Sequence, residues 1–108
     1  MTADQIYERR WAFTVLEQVM RRLREEYRSA GNLRFFDPMK KMLTDEPGRP
    51  SRAQVASEFG ITENAVKQVF RRFRQRYQTL LREEISHTVI IPDDIEDELR
   101  HLIGVVQA

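Results

Sequence analysis

The stretch "VASEFGITENAVKQVFRRFRQRY", residues 55–77, holds one glycine between two helical patterns and a burst of arginines in the second. Just upstream, Ser51 followed three residues later by Gln54 has the spacing of a capping box, which predicts a helix from Arg52 to about Phe59. Gly60 turns the chain, because only glycine enters the left-handed region without steric cost. Thr62 then caps a second helix, whose apolar row Val66, Val69, Phe70, Phe73, Tyr77, Leu80 and Leu81 keeps the helical period for about six turns.

Two helices that cross through a tight turn need a small residue at the crossing, here Ala56, and an apolar frame, here Val55, Phe59, Ile61, Val66 and Val69. A generic helical hairpin does not require Ala56 and Gly60 four residues apart together with that frame. The stretch therefore predicts a helix-turn-helix over residues 51–82.

Outward from this motif the chain stays helical. Residues 3–30 repeat Ala12, Leu16, Val19, Met20, Leu23 and Tyr27 at helical spacing, and "SAGN" with Gly31 ends that helix. Trp11 and Val15 fall off this stripe and are expected to meet a second surface, the tail or a partner. Asp37 and Pro38 read as an N-cap and first helical residue, starting a short helix through about Leu43 that buries Phe36, Met39 and Leu43. "TDEPGRP" is a connector within one domain. After the motif, "SHTVII" suggests an extended crossing, and Asp93 with Glu96 opens a last, acidic helix over residues 93–105 with Ile95, Leu99, Leu102 and Ile103 inward. The expected class is all-α, a single domain of about five helices over residues 1–108.

Composition bounds the rest. The chain has 108 residues, 41% hydrophobic and 32% charged, which suits a globular fold with one small core. There is no cysteine, so disulfides and thiolate metal sites are excluded. No apolar run approaches the roughly 20 residues that span a bilayer, and the start "MTADQIYERR" lacks a signal peptide's apolar centre, so a cytoplasmic protein without membrane contact is expected. His87 and His101 show no metal-ligand spacing, and Asp93 and Asp94 suit helix capping better than acid-base work. No enzyme, cofactor or metal site is expected.

The net charge of +1 hides a strong asymmetry. Residues 64–82 carry six basic side chains (Lys67, Arg71, Arg72, Arg74, Arg76, Arg82) and no acid, whereas Asp93, Asp94, Glu96, Asp97 and Glu98 follow Pro92. With Val66 inward, Asn64, Gln68, Arg71 and Gln75 form a row on the opposite face of the second motif helix, bordered by Lys67. Asn and Gln pair bidentately with adenine and Arg with guanine in the major groove. Arg72, Arg74 and Arg76 flank the row and suit phosphates, which position a protein without specifying sequence. Ser51, Arg52 and Thr62, at helix starts, add hydroxyl, charge and backbone N–H groups for phosphates, or serve as caps alone.

These residues carry a resemblance. "SRAQVASEFGITENAVKQVFRRFRQRYQTLLREEI", residues 51–85, resembles region four of bacterial sigma factors, particularly the extracytoplasmic-function branch. More loosely, "RRWAFTVLEQVMRRLREEY" is similar to the helix that precedes it in one branch, and "HTVIIPDDIEDELRHL" to that branch's C-terminal extension. The resemblance implies recognition of the −35 promoter element on double-stranded DNA by the second motif helix, docking on the β flap of the RNA polymerase core, and transcription initiation. Carried over by position, Asn64, Lys67, Gln68 and Arg71 face bases, and Arg72 and Gln75 lie near the DNA backbone. Two departures accompany it: region two is not among these residues, which implies a fragment or a free-standing region-four protein, and residues 31–50 exceed the usual link before the motif. The rival expectations are a sigma-like interaction module held by an anti-sigma partner through the first helix, and another helix-turn-helix regulator.

Overall fold

The computed structural model describes residues 3–87, and side chains 4–8 are outside that description. Within it the chain is all-helical and has no strand: α1 Ala3–Ser29, α2 Leu33–Thr44, α3 Arg52–Phe59 and α4 Glu63–Ser86. Of the stretch 86–91 expected to cross extended, Ser86 belongs to α4 and His87 is a turn residue; residues 88–91 and the acidic helix expected at 93–105 fall outside the described residues. No helix among the described residues is long and apolar enough to cross a membrane.

α1, α2 and α3 each end where the sequence allows the backbone to turn left-handed. At the end of α1, Gly31 has φ 77°, and Asn32 N–H donates to the Tyr27 carbonyl at 2.8 Å while Gly31 N–H donates to Arg28 at 3.1 Å, satisfying carbonyls the helix leaves unpaired. Asp45 takes the same position after α2, at φ 55°, one of the few side chains that tolerates it. Gly60 does so after α3, with Ile61 N–H donating to Ala56 at 3.0 Å. The capping box at Ser51 forms in full: Ser51 Oγ accepts the Gln54 N–H at 3.1 Å and Gln54 Oε1 accepts the Ser51 N–H at 2.8 Å.

A Cβ at residue 60 would meet nothing within 4 Å, so Gly60→Ala adds only backbone strain. A loss of about 1 kcal/mol is expected in urea unfolding, with Gly60→Asn losing less because asparagine visits this region more readily. No difference between the two variants would remove the backbone explanation.

α2 corrects the expected start. It begins at Leu33, with Pro38 inside it, whereas Asp37 and Pro38 were the expected cap and first residue. Proline within a helix costs about 3 kcal/mol through the lost N–H and the clash with the carbonyl four residues back. Burying Phe36 to 4% exposure and Met39 to 0% contributes roughly 1.5–3 kcal/mol each, which offsets it. Leu43 is only half-buried.

Two compact units divide the chain, and α1 and α4 contribute to both. In the described part of the first, residues 3–23 and 77–87, the buried side chains are Ala12, Val15, Val19 and Leu23 from α1 and Leu80, Leu81 and Ile85 from α4. Val15 thus lies on the buried stripe, contrary to expectation, while Leu16 and Met20 border it half-buried. Arg22 ties the two segments, donating to Glu83 at 2.7 Å and Glu84 at 2.8 Å. These hydrogen bonds, first to Glu83 and then to Glu84, hold its guanidinium above its ordinary pKa. In the second unit, Arg24–Arg76, Phe73 is the centre: Tyr27 and Phe36 meet its ring edge-on at 5.4 and 5.8 Å between centroids. Val55, Ala56 and Val66 are buried in the same unit, and Phe59, Ile61 and Val69 are half-buried.

Candidate nucleic-acid interface

α4 starts at a side-chain cap. Thr62 Oγ1 accepts the Ala65 N–H at 3.0 Å, and the Thr62 carbonyl takes the Val66 N–H at 3.1 Å, so the helix leaves the turn in a defined rotation. Glu63 in the first turn complements the positive end of the helix dipole. With Val66 and Phe73 both fully buried, the opposite face is set by the period of 3.6. Asn64, Lys67, Gln68, Arg71, Arg72, Arg74 and Gln75 are all exposed, and all belong to the second unit. Ser51, Arg52 and Thr62 are exposed at the starts of α3 and α4. Ser51 and Thr62 are occupied as caps through their hydroxyl oxygens, and each keeps its own O–H as a donor.

The basic side chains of α4 divide into two sets. Lys67, Arg71 and Arg74 make no ion pair or hydrogen bond to another described residue. Arg76 does: its Nε and Nη2 donate to the two carboxylate oxygens of Glu26 at 2.7 and 2.8 Å. Arg76, which the sequence suits to phosphate, is therefore engaged by Glu26 in this structure. Arg72, one turn earlier, lines a shallow groove of about 380 Å³ with Glu26, Tyr27, Ala30, Asn32, Phe35 and Val69. Burial pushes the Tyr27 phenol up, and Arg72 pulls it partly back.

At the end of α3, Phe59 packs against Phe35 with the rings tilted by 54° and 4.7 Å between centroids, and the Arg34 guanidinium lies over both rings, 4.9 Å from Phe35 and 5.5 Å from Phe59. The sequence reading missed this cluster and the Glu26–Arg76 pair. A pair 50 residues apart leaves no local spacing to find; the one available hint was an acid beside the apolar stripe of α1. Among the described residues no group of three or more His, Asp or Glu side chains gathers as a metal site. Compared with family models, with curated proteins and with solved structures, the chain matches none.

Proposed function

We propose that the second unit is a helix-turn-helix that reads double-stranded DNA, with α4 as the helix that enters the major groove. The observation that carries this reading is the exposed face of α4, where amide and guanidinium groups follow one another with no acid from residue 64 to residue 82. A face selected for solubility alone mixes both signs of charge. In this reading Asn64, Lys67, Gln68 and Arg71 meet base edges, and Arg72, Arg74 and Gln75 lie along the backbone with Ser51, Arg52 and Thr62. The resemblance of residues 51–85 to sigma region four extends the proposal to the −35 promoter element, the β flap of RNA polymerase and a cytoplasmic, non-catalytic role in transcription initiation.

In vitro selection from random duplexes tests it, with enrichment of one motif expected. Recovery of unrelated sequences only would end the sequence-reading proposal. The two arginines then separate roles. Arg71→Ala should relax preference at one base pair at a loss of about 1–3 kcal/mol, whereas Arg74→Ala should weaken all duplexes alike. Equal losses on cognate and scrambled duplexes for both variants would show that the proposed reading face is wrong.

The second reading is an interaction module bound by an anti-sigma-like partner through α1, where Phe13, 57% exposed, is the one large apolar side chain exposed among the described residues and the site at which to test it. Under it, duplex binding is absent and Phe13→Ala weakens the protein complex.

A further inference from the structure

The acid-free face of α4 ends at a built pair. Glu26 of α1 takes both Nε and Nη2 of Arg76 in a two-point contact, at 2.7 and 2.8 Å, and the two side chains are still 39% and 43% exposed. An exposed pair of this kind adds little to stability. Its geometry nonetheless uses the planar edge with which arginine grips a phosphate. Arg72 precedes Arg76 by one turn, about 6 Å along α4, and shares its groove with Glu26. Arg72 and Arg76 thus form a two-step ladder along one flank of the reading face, and Glu26 occupies the second step.

We propose that Glu26 is a specificity-determining residue. By holding Arg76, it confines phosphate contacts on this flank to Arg72 and so limits binding to non-cognate duplex, which depends on phosphate contacts almost alone. The cognate complex loses less, because base contacts from Asn64, Gln68 and Arg71 supply part of its affinity. This inference rests on the DNA-reading proposal above.

The test measures affinity for a cognate and a scrambled duplex against salt concentration in wild type, Glu26→Gln, Arg76→Gln and the double variant. Releasing Arg76 adds one phosphate contact, so Glu26→Gln should steepen the log-log salt slope on scrambled duplex by about 0.9 and lower the cognate-to-scrambled ratio several-fold. Arg76→Gln should keep the wild-type slope, and adding Glu26→Gln to it should change nothing. Melting temperatures of the single variants should stay within a few degrees of wild type. An unchanged slope in Glu26→Gln overturns the inference. So does an equal gain in the Arg76→Gln background, which would mean that the removed charge acts through the general field. A large common loss of melting temperature overturns it too, making the pair a structural clamp. If wild type binds no duplex in a salt-dependent way, the DNA-reading proposal falls, and this inference falls with it.

Discussion

Phe73→Ala is expected to lower the unfolding free energy by about 3–5 kcal/mol, the usual loss when a fully buried phenylalanine leaves a cavity that its surroundings cannot close. Phe73 is 0% exposed, and its ring is held between the edges of Tyr27 and Phe36. Both contacts vanish together, because one ring serves two neighbours from α1 and α2. Domains of this size have about 5–15 kcal/mol in total. The variant should therefore approach the unfolding threshold at ordinary temperature. Phe73→Leu keeps most of the volume and should lose much less. Phe13→Ala, at a site 57% exposed, should change stability by about 0.5 kcal/mol or less. Urea unfolding of the three variants checks the order. A Phe73→Ala loss near that of Phe13→Ala would mean that the aromatic cluster is not the centre of the second unit.

Raising salt from about 50 to about 200 mM should weaken duplex binding by about 40- to 500-fold. The range follows from three to five phosphate contacts at about 0.9 each on the log-log slope. Arg52, Arg72 and Arg74 set the lower number, and Lys67 and Arg71 raise it on duplexes whose bases they do not fit. All five are exposed. Arg76 is left out of the count because Glu26 holds it. Fluorescence anisotropy across the salt series gives the slope directly. A flat slope, or no binding at the lowest salt, would remove DNA as the partner and leave the interaction-module reading through α1.

Local chemistry made much of this protein legible from its residues. The capping box at Ser51 and Gln54, the left-handed Gly60 and the cap at Thr62 each depend on atoms within a few residues, and each occurs as expected. The rotation of α4 was equally accessible, since burying Val66 and Phe73 sends Asn64, Gln68 and Arg71 outward whatever else the chain does.

Where local and long-range terms compete, the residues alone misled. Asp37 and Pro38 carry a strong local signal for a helix start, yet α2 runs through them from Leu33, because the burial of Phe36 and Met39 offsets what Pro38 loses. Val15 falls off an ideal period and was expected to meet a second surface, but the buried stripe of α1 runs through residues 12, 15, 19 and 23. The arginine run of α4 reads as uniformly available in sequence, and only the tertiary structure separates Arg76, paired with Glu26, from Lys67, Arg71 and Arg74. Sequence determined the caps of α3 and α4, the left-handed Gly60 between them and the outward face of α4, since these follow from bonds and rotations a few residues long. Tertiary structure decided which apolar stripe is buried and which arginine is engaged, since those depend on partners about 50 residues away.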